Sequence, residues 1–234
     1  MPPGTKKARK LLFLGTGLFA IYIIITILVF SGTTQGLDAM LAELLNSYQG
    51  STFTSLMVNA SLYGREYFWT AVVLLMLVFG KRDTKLLAAE LAALFVVGIV
   101  AGEIAKVVAF RERPYAMLGN LIQLRAPPDT DSSFPSGHAL IVSIGALFAV
   151  VKFKPGWKAR AISLLLTLEA GVVCYSRVYL GVHYPLDVFA GVLLAGTIVF
   201  VGIYVIERYL PRTFLKVSNM IEEALKKVHA PELL

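Results

Sequence analysis

Charge is scarce in this chain. Only 16% of its 234 residues are Asp, Glu, Lys or Arg, while 57% are hydrophobic. A water-soluble domain carries about a quarter charged and roughly 45–50% apolar residues, so the composition excludes an ordinary soluble domain. Cysteine is scarcer still: Cys174 stands alone inside an apolar run, which excludes an internal disulfide. Fixed-period repeats and low-complexity tracts are missing too, and the chain reads as one domain over residues 1–234.

What is there instead is a series of apolar runs and a mean hydropathy of +0.72. A helix needs about 20 apolar residues to cross a bilayer. The runs predict spans at about 11–30, 67–80, 86–110, 135–151, 161–176 and 187–206. The first is long for the apolar part of a signal peptide and no A-x-A-like site follows it, so a retained helix is expected. Leu37, Met40, Leu41, Leu44, Leu45 and Tyr48 recur at helical spacing and predict a short amphipathic helix on the membrane surface. Phe214, Val217, Ile221, Leu225 and Val228 predict a similar amphipathic tail within 207–234. The expected fold class is therefore all-α: a polytopic bundle of six transmembrane helices with short amphipathic surface helices.

The formal net charge of +7 raises the question of nucleic acid. Its distribution answers it. Sixteen of the 22 basic residues lie at the N-terminus (Lys6, Lys7, Arg9, Lys10), the 81–85 turn (Lys81, Arg82, Lys85), the 152–160 turn (Lys152, Lys154, Lys158, Arg160) and the tail (Arg208, Arg212, Lys216, Lys226, Lys227). With six spans these segments all share one side, which the positive-inside rule makes cytoplasmic. Topology explains the charge, and no nucleic-acid partner is expected. The other six, Arg65, Lys106, Arg111, Arg113, Arg125 and Arg177, fall at the opposite face, where an orienting signal depletes cations. They need another explanation.

Three polar clusters lie at that face. In K-V-V-A-F-R-E-R-P, Lys106 and Arg113 are seven residues apart, one face of a continuing helix, and Pro114 marks the helix end. In F-P-S-G-H-A, Pro135 suits a first helical turn, Gly137 permits close backbone approach, and the free N–H groups of the helix start form an anion site. Ser136 adds a hydroxyl there and His138 an imidazole. In S-R-V-Y-L-G-V-H-Y-P-L-D, Arg177 carries a planar cation that matches phosphate oxygens. His183 and Asp187 are four apart, so the carboxylate can accept from one ring nitrogen and leave the other free.

Each cluster alone has a plainer reading: Lys106 snorkelling, Arg113 anchoring the interface, His138 capping a helix, His183–Asp187 a helix-end hydrogen bond. Together they supply three cations, an anion nest, two histidines and a carboxylate at one membrane face. That set binds a phosphoryl group and attacks it, and fixed cations can stabilise the transition state without a metal. An ion path is the rival reading, since intramembrane charges such as Glu90 and Glu103 often mark one. The motif charges, however, gather at one end.

The order K-x6-R-P, P-S-G-H, S-R-x5-H-x3-D, over residues 106–187, resembles the signature of the type-2 phosphatidic acid phosphatase family of membrane lipid phosphatases. The resemblance implies a six-helix bundle with its site at the extracytoplasmic surface and a two-step mechanism through a phosphohistidine. It implies His183 as nucleophile, Asp187 as its orienting group and His138 as general acid. Lys106, Arg113 and Arg177, with Ser136 and the Gly137 amide, would hold the phosphate, with no metal and no cofactor. The substrate class it implies is a membrane lipid phosphate or diphosphate. Among the family's substrates a compact chain favours polyprenyl diphosphate, with phosphatidylglycerophosphate and phosphatidic acid as alternatives. Transfer to a lipid acceptor in place of water also stays open. Arg111, Tyr115 and Arg125 are candidates for holding a second phosphate.

Overall fold

The computed structural model describes residues 5–153, 156–210, 216 and 219–220, and every regular element among them is helical. In chain order these are α1 (Thr5–Phe30), α2 (Gln35–Asn46), α3 (Ser51–Tyr63), α4 (Glu66–Phe79), α5 (Arg82–Val108), the single turn α6 (Pro114–Met117), a 3-10 turn (Gly119–Leu121), α7 (Gly137–Lys152), α8 (Trp157–Tyr179) and α9 (Pro185–Tyr209). The chain is a multi-pass membrane protein. Helices α1, α5, α8 and α9 are each long and apolar enough to span a bilayer, and α3 with α4 makes a fifth candidate if that bent pair is one span. Helix α7, at 16 residues, is apolar but shorter than a full span.

The core forms around α7 and α9, which pack on each other, with α1 against α9 and α5 and α8 against α7. Phe134, Leu140, Ile144, Phe148, Val199 and Ile203 are buried there, whereas Phe13, Ile27, Leu75, Val97 and Leu165 face outward. Large apolar side chains on the outside are what a lipid solvent selects.

The sequence predicts one helix in residues 31–66, but two form. Helix α2 turns Asp38, Ala42 and Asn46 inward and leaves Leu37, Met40 and Leu44 exposed. This suits a surface helix whose apolar side meets lipid and whose polar side meets the protein. Helix α3 joins α4 at a 50° bend instead of being loop. Gly64 makes that bend possible: a β-carbon there would lie 2.4 Å from both the Ala60 carbonyl oxygen and Val173 Cγ2. The bend puts Arg65 at the break. The expected amphipathic tail lies almost wholly outside the described residues.

Helix α5 stops at Val108, and Arg113 before Pro114 is extended (φ −75°, ψ 152°). Lys106 and Arg113 therefore do not share a helix face, as their spacing predicts. The non-helical turn between them brings them together instead.

Candidate active site

The start of α7, the end of α8 and the loop before α9 meet at one end of the bundle, closed over by the 126–133 loop. They line a polar cavity of about 440 Å³ whose wall includes Lys106, Arg113, Gly137, His138, Arg177 and His183. Six of the eight residues expected at the site thus share one cavity. The other two, Ser136 and Asp187, are fully buried behind it.

Ser136 serves as the N-cap of α7, its hydroxyl accepting from the Ala139 N–H at 3.5 Å. Its backbone N–H donates to the Asp187 carbonyl at 2.9 Å, tying the starts of α7 and α9 together. The hydroxyl thus faces its own helix and not the cavity. The Gly137 end of α7 stays open to an anion, as free N–H groups at a helix start require.

His183 is 2% exposed. Its Nδ1 lies 2.7 Å from the Ser133 carbonyl oxygen. A carbonyl only accepts, so Nδ1 carries the proton and Nε2 the lone pair. Nε2 faces Arg113 Nη1 at 3.4 Å. Burial, then the charges of Arg177 and Arg113, hold the His183 pKa well below its ordinary 6.5, so the ring is neutral.

The expected His183–Asp187 hydrogen bond is replaced. Asp187 Oδ2 is 3.7 Å from His183 Nδ1, beyond hydrogen-bonding range. Its oxygens are occupied elsewhere: Oδ1 accepts from Arg111 Nη1 at 2.6 Å and Oδ2 from the Tyr184 N–H at 2.8 Å, the carboxylate reaching back over the first turn of α9. Arg111 in turn bonds the buried Asp38 at 2.7 Å and stacks 3.9 Å over the Tyr184 ring. Asp38 also accepts from the Leu186 N–H at 3.0 Å. The chain Asp38–Arg111–Asp187 thus fastens α2 to the start of α9.

His138 shows the opposite tautomer. Its Nδ1 faces Arg65 Nη1 at 3.1 Å. Guanidinium only donates, so Nδ1 is the acceptor and Nε2 bears the proton. One ring presents a lone pair, as a nucleophile needs, and the other an N–H, a donor that becomes a general acid only when Nδ1 is protonated as well.

The cations are paired with the loop above them. Lys106 and Arg113 both hold Asp131, and Asp129 Oδ2 lies 3.3 Å from Arg113 and 3.6 Å from Arg177. Arg177 also donates to Ser61, and Arg113 to the Val182 carbonyl at 2.9 Å. Burial opposes ionisation of Asp131, but Lys106 and Arg113 more than offset it and lower its pKa to about 2.

Sequence assigns no role to Arg65, Asp129 or Asp131. Arg65 was legible as a cation on the wrong side for topology. The two aspartates carry no motif that marks them. Conversely, Arg111, Arg125 and Tyr115 do not line the cavity: Arg125 donates to the Tyr179 and Tyr48 carbonyls at 2.9 and 3.2 Å, and Tyr115 to the Asp129 carbonyl of the covering loop at 2.7 Å. Glu90 pairs with Lys152 at 2.8 Å, at the far end of α7 from the cavity.

A second cavity of about 390 Å³ adjoins the first and shares Arg65, Glu103, Lys106 and Gly137 with it. It runs between α4, α5 and α7 along Trp69, Val73, Phe95 and Leu140. Its Leu74 and Ile99 walls reach the outer surface of the bundle.

Comparison with known proteins places the chain in a family. The PAP2 superfamily model matches residues 84–210. An undecaprenyl-diphosphatase of Sulfolobus acidocaldarius is 42% identical over 188 residues, 80% of this chain and 87% of that protein. The undecaprenyl-diphosphatase BcrC of Bacillus subtilis is 29% identical over 64% of this chain and 72% of its own. The crystal structure of Aquifex aeolicus LpxE aligns with a TM-score of 0.60 at 26% identity, covering 73% of this chain and 95% of that one. A transmembrane PAP2-type phosphatidylglycerolphosphate phosphatase from Bacillus subtilis shares the fold, with a TM-score of 0.69 at 20% identity over 84% and 98% of the two chains. With a family match across more than half its length and a close relative spanning four-fifths of it, this chain belongs to the PAP2 superfamily.

Proposed function

We propose that this membrane lipid phosphatase takes a polyprenyl diphosphate and releases its terminal phosphate through a phosphohistidine on His183. The observation that carries the substrate is the junction of the two cavities: a cationic pocket continues directly into an apolar groove that opens on the lipid side. A phosphate head with a long hydrocarbon tail fits that junction. The 42% identity to an undecaprenyl-diphosphatase supports the same class.

In the first step His183 Nε2 attacks the terminal phosphorus, held by Lys106, Arg113, Arg177 and the Gly137 amide. The N–P bond forms and the P–O bridge breaks. His138, doubly protonated once the anionic substrate is bound, gives its Nε2 proton to the departing oxygen and is left neutral, and the lipid monophosphate leaves. In the second step His138 takes a proton from water, the oxygen attacks phosphorus, and inorganic phosphate departs as His183 recovers its lone pair. Asp187 acts at one remove, setting the α9 start and lending negative charge beside the imidazole. The cations supply the charge stabilisation, so turnover is expected to persist in EDTA.

Counting the bent α3–α4 pair and α7 gives six spans, with the cavity at the extracytoplasmic face and both termini in the cytoplasm by the positive-inside rule. The test is a rate comparison in detergent on polyprenyl diphosphate, phosphatidylglycerophosphate and phosphatidic acid. Preference for the first supports the reading, and preference for either of the others overturns it.

A further inference from the structure

Of the cations in the polar cavity, three lie within the signature motifs and meet the 129–131 loop. The fourth, Arg65, does neither. It stands at the α3–α4 break, pairs with the adjacent Glu66, and lines both the polar cavity and the apolar groove. Its Nη1 is 3.1 Å from His138 Nδ1. A β-carbon built on Gly137 would be 3.7 Å from Arg65 Nη1 and 4.0 Å from Lys106 Nζ, so the two cations flank the start of α7.

We infer that Arg65 is the ligand of the second, lipid-linked phosphate, and so the residue that sets preference for a diphosphate over a monophosphate. The inference rests on the phosphatase reading above and deepens it. The argument is one of order along the cavity. The terminal phosphorus must face His183 Nε2, and the bridging oxygen must face the proton on His138. The next group toward the groove is then the lipid-linked phosphate, and Arg65 occupies that position. The other basic or phenolic candidates do not line the cavity: Arg111 and Arg125 are committed to carboxylate and carbonyl partners elsewhere, and Tyr115 to the main chain of the loop that covers it.

The chemistry gives Arg65 more to do with a diphosphate than with a monoester. When the bridge of a diphosphate breaks, the bridging oxygen and its electron pair leave on the lipid-linked phosphorus, and His138 supplies one proton. The charge gathers on oxygens beside a guanidinium that matches them. When a monoester is cleaved, the leaving group is an alcohol, with no phosphate for Arg65 to hold.

The test compares Arg65→Gln and Arg65→Lys with wild type in two readouts. One is inhibition by inorganic pyrophosphate against inorganic phosphate; the other is kcat/KM on a polyprenyl diphosphate against phosphatidic acid. In Arg65→Gln the pyrophosphate inhibition constant is expected to rise roughly 10- to 100-fold, the scale of a charge-assisted contact. The phosphate constant should stay within about twofold, since the motif cations hold a single phosphoryl group. The polyprenyl diphosphate should lose more kcat/KM than phosphatidic acid. Arg65→Lys, which keeps the charge, should show the same split at smaller size and serves if the Gln variant does not fold. Equal weakening of both anions would assign Arg65 to the common phosphate site and overturn the inference. So would unchanged inhibition with kcat reduced alike on both lipids, which would leave Arg65 only setting the His138 tautomer. Those outcomes leave the substrate reading intact. A wild-type enzyme that hydrolyses phosphatidic acid but no polyprenyl diphosphate overturns that reading itself.

Discussion

The Ser133 carbonyl oxygen, not the Asp187 carboxylate, accepts the hydrogen bond from the Nδ1–H of His183, at 2.7 Å against 3.7 Å. Ser133 is itself pinned: its N–H donates to the Arg111 carbonyl at 2.9 Å, and it has no exposed surface. A main-chain acceptor cannot change protonation or rotate away, so the tautomer with the lone pair on Nε2 is built into the backbone. Asp187 holds the helix that carries the loop.

Asp187→Asn should accordingly damage stability more than chemistry. The amide no longer answers the buried Arg111 charge, and breaking a buried ion pair costs about 3–5 kcal/mol. The tautomer survives, because Ser133 sets it, so the folded fraction should lose only about 10- to 100-fold in kcat, the scale of a supporting contact. His183→Gln should remove turnover. Thermal unfolding in detergent beside kcat separates the two effects. A loss in Asp187→Asn equal to that of His183→Gln, with Tm unchanged, would show that the carboxylate acts directly on the nucleophile.

The depressed pKa of His183 fixes the direction of the pH dependence. On the proposed mechanism His183 attacks while neutral, so the acid limb of kcat/KM should lie well below the ordinary histidine value of 6.5. The unfolded chain takes up a proton near 6.5 that the folded site refuses, so this stability is present above pH 6.5 and declines as pH falls below it. Asp131 acts in the same sense lower down: ionised to about 2 in the fold, its contribution is full above its ordinary 3.8 and is lost as pH falls through about 2. A kcat/KM profile with its acid limb at or above 6.5 would contradict the neutral, buried ring.

Asp129 and Asp131 pair with the same cations that are proposed to hold the incoming phosphate. Both carboxylates are 45% exposed, so solvent weakens the contacts and the loop can yield. Asp131→Asn should therefore lower the vanadate inhibition constant and the substrate KM, by about 3- to 10-fold at roughly 1 kcal/mol of lost competition. Weaker vanadate binding in this variant would mean that the loop assists the anion rather than competing with it.

Much of this site can be read from the chain: Arg113, His138 and His183 stand beside helix starts that Pro114, Pro135 and Pro185 mark, and Lys106 and Arg177 lie in the last turns of apolar helices. What could not be read depends on long-range packing. The competitor for the His183 proton is a backbone carbonyl 50 residues away, and carbonyls carry no sequence signal. Lys106 and Arg113 looked like one helix face, yet meet only because the Pro-constrained turn after Val108 folds back. Helix α3 was missed because its run is broken at Gly64, and a break in periodicity reads as loop when it is a bend. Arg65 follows from the same cause, since its place at the cavity depends on that bend. The apolar stripe of α2 was legible, but Asp38 on the opposite side was not, because its partners come from residues 111 and 186.

The closeness of α7 and α9 yields the last prediction. A β-carbon on Gly191 would fall 2.6 Å from the Ser136 carbonyl oxygen and 3.1 Å from Ala139 Cβ. The first contact is with backbone, which cannot swing aside, so Gly191→Ala must push the start of α7 away from α9. That costs about 1–3 kcal/mol of overpacking strain. It also lengthens the 2.9 Å bond between the Ser136 N–H and the Asp187 carbonyl, and with it the spacing of His138 from His183. Activity should therefore fall in Gly191→Ala at temperatures where the protein is still fully folded. Gly171→Ala, whose β-carbon meets nothing within 4 Å on α8, should leave both stability and rate near wild type. Measuring Tm and kcat for the pair checks this: if Gly191→Ala loses stability but keeps full kcat, α7 and α9 can separate without disturbing the two histidines.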